Sequence, residues 1–258
     1  MTSVSDSGQT HVRSQSAFSE LFKVQGRLAL REPYGAVGLA LPVGLLVVFW
    51  YIGTLNPGEV GSTGLTILEL WIPTILVLSY TALGLIGLPA VFARDREIGW
   101  LRRVSTTPVR PSRLLAVQLL LSVIIAAIAT VIMIVVAVTL LGAPLTIGVD
   151  FVGVAILAIA ELFSLGLVVA AIAPTQQAAS YIAGGLFFPL LFFSGLWVQP
   201  AQVGGPLATI MYFSPTGAAV RALLYSVFNA TPPYTTVATM AVYTVIFALV
   251  AVRFFRWE

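Results

Sequence analysis

The residues able to do chemistry in this chain are few, and most are arginines in one place. Arg94, Arg96, Arg102, Arg103, Arg110 and Arg113 lie in the island RDREIGWLRRVSTTPVRPSR, offset only by Asp95 and Glu97. Long apolar stretches flank it on both sides. Such a loop stays on the cytoplasmic face of a membrane. Its middle has helical spacing: Trp100, Val104, Leu101 and Ile98 share one arc, and Arg102, Asp95, Arg103 and Arg96 share the other. A short helix of that kind, tied to spans at both ends, is placed to receive a push from a soluble partner. Glu97 falls inside the apolar arc, where it needs an arginine or a backbone N–H, or else the dipole of a helix N-terminus.

Two carboxylates fall within apolar runs. Glu161 lies mid-run in AILAIAELFSLGL, where a charge costs about 2.5–3.5 kcal/mol on insertion scales. It therefore faces a cavity or a neighbouring helix, or carries a proton. It reads either as a substrate or proton contact or as a structural hydrogen bond. Glu69 lies near the end of its run and is expected to reach interfacial water. The rest of the search is negative. Lys23, the single lysine, has no glycine-rich stretch before it and no Ser or Thr after it, so no phosphate-binding loop exists to hydrolyse ATP. His11 is the one histidine and sits in the polar start of the chain, which rules out a Ser–His protease at Ser194-Gly195. There is no cysteine, no cluster of metal ligands, and Asp95 and Asp150 are isolated from each other. An enzyme is disfavoured.

The elements that must position these residues are membrane spans. Of 258 residues 59% are hydrophobic and 9% charged, at a mean hydropathy of +1.00, against about a quarter charged in soluble domains. Crossing the hydrocarbon layer takes about 20 apolar residues. Six stretches qualify: 34–53, 67–92, 114–141, 151–173, 180–198 and 235–252. The fifth is interrupted by Gly184, Gly185 and Pro189. With six spans and both ends cytoplasmic, only Arg221 of the 13 basic residues falls outside. Five or seven spans would put Arg253 and Arg256 outside. Residues 1–16 read as a disordered cytoplasmic tail without a signal peptide. Residues 17–32 read as an amphipathic interfacial helix, with Phe18, Leu21 and Phe22 toward lipid and Lys23, Arg27 and Arg31 toward water. The preference for arginine over lysine suggests a GC-rich bacterial genome.

The long segment 199–233 is moderately apolar and broken at Pro200, Pro206, Pro215 and Pro232-Pro233. Its pieces 207–213 and 217–228 are too short to cross and read as re-entrant or interfacial helices. Backbone at that depth must be buried in protein or face water. The aromatics Phe187, Phe188, Phe192 and Phe193 do not share one helical face and read as lipid or packing contacts.

The order of these features resembles the ABC-2-type permeases, the membrane subunits of exporters for drugs and polysaccharides. The resemblance covers nearly all of 17–258. It rests on the amphipathic helix before the first span and on Glu97, Gly99, Leu101, Arg103 and Pro108 in the island. It rests also on Pro189, Ser194 and Gly195 in FFPLLFFSGLW, and on Pro215, Arg221, Leu223 and Leu224 further on. The family's Asn-Pro is Ser214-Pro215 here, and its Leu-Pro-x-Trp pattern is missing.

The resemblance implies an all-α polytopic membrane protein of six transmembrane helices in the plasma membrane of a bacterium. It implies a pair of such subunits, identical or paralogous, with two ATP-binding subunits that hold the ATP and magnesium. This chain then binds no cofactor and no nucleic acid. The island, through Glu97, Ile98, Gly99, Trp100, Leu101, Arg102, Arg103 and Pro108, becomes the coupling helix to the ATPase. Glu161, Pro189, Ser194, Gly195, Pro215 and Arg221 become candidates for the transport path and outer gate. The aliphatic span interiors favour an amphipathic drug, a lipid or a glycolipid as cargo. Two other readings are a non-transporting membrane scaffold and an ion-coupled carrier using Glu161.

Overall fold

The structure, a computed structural model, describes residues 33–59, 64–97, 111–228 and 230–254. Among these residues there is no strand, and nine helices follow in order. They are α1 (Pro33–Leu55), α2 (Ile67–Glu97), α3 (Pro111–Val135, extended by a wide turn Val136–Leu140), α4 (Val149–Ile172), α5 (Gln176–Phe193), α6 (Pro200–Val203), α7 (Gly205–Phe213), α8 (Pro215–Val227) and α9 (Tyr234–Phe254).

Local sequence sets the ends of these helices. Thr66 and Glu69 form a reciprocal capping box at the start of α2, with the Glu69 carboxylate accepting from Thr66 N at 2.6 Å and from Thr66 Oγ1 at 2.8 Å. This corrects the expectation for Glu69: the side chain is buried and folded back on its own helix, not reaching for water. Thr175 caps α5 through Ala178 N, and Ser214 caps α8 ahead of Pro215 at the first helical position. The fifth expected span is displaced. α5 starts at Gln176 and stops at Ser194, because Gly195 turns the chain at φ +86°, a conformation open to glycine.

Contacts between helix ends give the topology. Phe49 stacks on Trp71 at 4.1 Å, so the end of α1 meets the start of α2. Phe92 of α2 shares a cavity of about 300 Å³ with Leu115 and Leu119 of α3, Leu167 of α4 and Ala251 of α9. Thr146 N, in the α3–α4 turn, donates to Val227 O at the end of α8. Val149 and Asp150 line another cavity with Pro232 and Tyr234 at the start of α9. Hence α1, α3 and α5 run one way and α2, α4 and α9 the other. Residues 33, 97, 173 and 254 lie at one end, called here the arginine end. Both ends of the α7–α8 pair lie at the far end. The pair bends by 81° and caps the bundle without crossing it, as the broken segment 199–233 led one to expect.

Among the described residues four helices are long and apolar enough to cross a membrane: Ile67–Glu97, Leu115–Leu140, Val149–Ile172 and Tyr234–Phe254. The apolar part of α1, Ala40–Leu55, is shorter. α5 carries two glutamines, two glycines and Pro189, which dilute its apolar character. Large apolar side chains point outward along the long helices, among them Val131, Ile156, Val245, Leu249 and Val252. In water that surface would aggregate; in a bilayer it meets acyl chains.

The core is built on α2 and α4. Thirteen of the fifteen residues of the first α2 segment are buried. At Ala82–Gly87 the helix opens into a π turn, and there it touches α4 backbone to backbone. A Cβ on Gly166 would overlap the carbonyl oxygen of Gly84, and one on Gly84 would lie 2.6 Å from Phe163. Small residues allow this approach in a medium that supplies no hydrophobic drive between helices. Tyr80 OH and Thr130 Oγ1, 2.7 Å apart, tie α2 to α3.

Candidate functional sites at the two ends of the bundle

At the arginine end α2 finishes in Arg94, Asp95, Arg96 and Glu97. The Arg96 guanidinium reaches across to the last turn of α4, donating from Nη1 to Ala173 O at 3.0 Å and from Nη2 to Ala170 O at 3.1 Å. Those carbonyls are the unpaired acceptors that every helix leaves at its C-terminus. A cation is favoured there by the helix dipole. The next residue does the reverse. Glu97 Oε2 accepts from Gln176 N at 3.0 Å, at the positive end of α5. One dipeptide thus grips both sides of the α4–α5 turn, each charge on the helix end of opposite sign. The backbone N–H that Glu97 was expected to need is that of Gln176. It belongs to α5, and Glu97 is itself the last residue of α2.

Ile98, Gly99, Trp100, Leu101, Arg102, Arg103 and Pro108 lie outside the described residues, as do the tail 1–16 and Phe18, Leu21, Phe22, Lys23, Arg27 and Arg31 of the expected interfacial helix. The island is therefore seen only at its two ends, where it leaves α2 and where it enters α3 at Pro111.

At the far end two distant stretches meet. Ser194 closes α5, its Oγ donating to Leu191 O at 2.7 Å, and Gly195 makes the turn. Thr216 Oγ1 donates to Leu190 O at 2.6 Å, pinning α8 to α5. The α7–α8 corner is closed by Ser214, whose Oγ donates to Met211 O at 2.8 Å and accepts from Gly217 N at 3.0 Å. A Cβ on Gly217 would overlap Met211 O, so the corner accepts only glycine there. The Arg221 guanidinium lies 4.8 Å from the Tyr212 ring centroid. Ser194, Gly195, Gly217 and Arg221 line one cavity of about 140 Å³. Pro189 lies within α5, and Pro215 starts α8.

Glu161 joins neither group. It is fully buried in the middle of α4, and neither carboxylate oxygen has a partner among the described residues. Only its backbone is engaged, accepting from Ser164 Oγ at 2.8 Å. The cavities place residues 153–157 of α4 beside 237–241 of α9, and Leu167 beside Ala251. Glu161 therefore sits level with about Val245 of the parallel α9.

Sequence reasoning missed Gln176 as the partner of Glu97, Ala170 and Ala173 as the partners of Arg96, and Thr74, Gln199 and Tyr212 around Arg221. A sequence signal existed for the first of these, since Thr175 followed by Gln176-Gln177 has the form of a capped helix start. Backbone carbonyls carry no sequence signal at all.

An apolar exterior and helices of spanning length define a helical, multi-pass membrane protein. The family model for the ABC-2 type transporter matches residues 16–228, and the chain belongs to that family. It is a permease subunit of an ABC transporter, a component distinct from the ATPase, and it works with an ATP-binding subunit. None of the curated proteins compared with the chain matches it.

Proposed function

We propose that this chain is the membrane half of an exporter, moving an amphipathic or lipid-like molecule out of the cytoplasm on ATP hydrolysed by its partner. Two such permeases, identical or paralogous, stand with two ATP-binding subunits in a bacterial plasma membrane. The arginine end and both termini are cytoplasmic. The loop carrying Ile98, Gly99, Trp100, Leu101, Arg102, Arg103 and Pro108 docks on the ATPase, and the amphipathic helix of Phe18 to Arg31 lies beside it at the membrane surface.

The observation that carries this reading is the double grip of Arg96 and Glu97 on the α4–α5 turn. A displacement of the loop pulls on the end of α2. Because α2 holds α4 and α5 by their ends, and touches α4 again at Gly84 and Gly166, the three helices move as one body. α5 in turn holds α8 through Thr216. A push at the arginine end thereby reaches the cap some 20 Å away along α5 from Gln176 to Leu190, at about 1.5 Å of rise per residue.

The test uses the absence of cysteine. A single cysteine placed at Arg102 is expected to react with a membrane-impermeant maleimide only in inside-out vesicles. Labelling in intact cells would refute the orientation. In the assembled transporter, Glu97→Ala and Leu101→Asp are expected to leave insertion intact while separating ATP hydrolysis from export. Wild-type coupling in both would remove the loop from the mechanism.

The unbonded carboxylate of Glu161 favours a second reading, an ion-coupled carrier. Such a carrier would keep transporting in ATP-depleted vesicles under a proton gradient and would fail in Glu161→Gln. An ATP-driven exporter shows neither behaviour.

A further inference from the structure

We propose that the cavity at the far end is an anion site. It takes the phosphate or carboxylate of an amphipathic molecule, with Arg221 as its cation and Thr74 and Gln199 as hydrogen-bonding partners. The cavity holds about 140 Å³ and is lined by α2, α7, α8 and the α5–α6 link. That volume suits a headgroup anion but not a whole lipid. Four of its lining residues carry polar side chains without a hydrogen-bond partner among the described residues: Thr74, Gln199, Tyr212 and Arg221. Thr74 is only 4% exposed and borders this cavity. No carboxylate lines the cavity.

Arg221 is not spent on its ring contact. The ring of Tyr212, 4.8 Å from the guanidinium carbon, attracts the charge but supplies no counter-charge to its five N–H donors. A planar fork of such donors suits the paired oxygens of a phosphate or carboxylate. Leu70, Val220 and Leu224 line the same space and offer apolar contact to the first methylenes behind a headgroup. Charge placement agrees. Arg221 sits at the end of the bundle opposite Arg94 and Arg96, about 33 Å from them measured along α2 from Thr74 to Arg96. Its positive charge is therefore not explained by the basic island that orients the chain.

The inference deepens the proposed amphipathic cargo but is separable from it, since binding is read on the full-length chain without ATP. The probes are dodecyl phosphate and inorganic phosphate, titrated calorimetrically against wild type, Arg221→Gln, Arg221→Lys and Thr74→Val in neutral detergent. Dodecyl phosphate is expected to bind Arg221→Gln at least about tenfold more weakly than wild type, as loss of a charge-assisted bond requires. Arg221→Lys should fall between them, keeping the charge and losing the fork. Thr74→Val, which leaves the α7–α8 corner untouched, should lose about threefold. Inorganic phosphate should compete with dodecyl phosphate if the headgroup alone is read. Native mass spectra distinguish the sources. Phosphatidylglycerol retained by wild type and lost from Arg221→Gln identifies a membrane lipid; dodecyl phosphate binding with no retained lipid identifies the cargo. Equal dodecyl phosphate affinity in wild type, Arg221→Gln and Thr74→Val would overturn the proposal, whatever becomes of the export reading.

Discussion

At the arginine end, α2 holds the α4–α5 turn with two charged side chains, each set against the helix end of opposite sign. At the far end the side-chain hydrogen bonds come from neutral hydroxyls: Thr216 ties α8 to α5, Ser214 closes the α7–α8 corner and Ser194 ends α5, around a cavity with an arginine in its lining. Hydrogen bonds to charged groups contribute about 1.5–3 kcal/mol and neutral ones about 1. The contrast assigns different work to the two ends. In the proposed mechanism the first joins three helices into a unit that transmits force, and the second, where α8 packs into the core through Ala218, Ala219, Ala222 and Leu223, receives that force beside the proposed anion site.

Substitutions can break the comparison in graded steps. The largest effect is expected where backbones touch. Gly166→Val would drive Cβ into the carbonyl of Gly84, separating α2 from α4 at a cost of about 3 kcal/mol or more. Size-exclusion chromatography should show loss of the monodisperse species. Next comes Arg96→Leu, which leaves Ala170 O and Ala173 O without their donor. It should destabilise the protein by about 1.5–3 kcal/mol and lower its melting temperature, while the α7–α8 cap stays folded. Thr216→Val removes one neutral bond at the far end and should lower stability by about 1 kcal/mol. If Thr216→Val proved as damaging as Arg96→Leu, the proposed asymmetry of the ends would be gone. The smallest effect is expected at Glu161. Glu161→Leu replaces two unbonded buried oxygens by carbon, so its stability should match or slightly exceed that of wild type. A large loss would mean that the carboxylate has a partner in the assembled transporter.

Much of this was legible from residues whose signals are local. The apolar runs foretold α2, α3, α4 and α9, and the prolines of 199–233 foretold short helices that cap the bundle. Pro189, Ser194 and Gly195 marked the end of α5, though apolar continuity through Trp197 and Val198 drew the expected span too far. Glu69 was misjudged because proximity to a span end suggested water, whereas Thr66 three residues earlier had already formed the capping pattern. The partners of Arg96 and Glu97 were beyond reach. They are backbone atoms of another helix, 77 and 79 residues further on. The cavity around Arg221 was hidden for a similar reason. Thr74 and Gln199 are unremarkable alone and meet only because the α7–α8 corner brings Arg221 back toward the start of α2.

The most direct test of the central claim reads motion, not cargo. Spin labels on cysteines introduced at Gln177, at the arginine end of α5, and at Ile210, on the exposed face of α7, report the distance between the two ends in the assembled transporter. ATP binding by the partner should shift that distance in the otherwise wild-type chain. In the Arg96→Leu/Glu97→Ala double variant the shift should vanish while ATP hydrolysis continues. An undiminished shift in the double variant would contradict the account, because force would then reach the far end by a route that bypasses the grip on the α4–α5 turn.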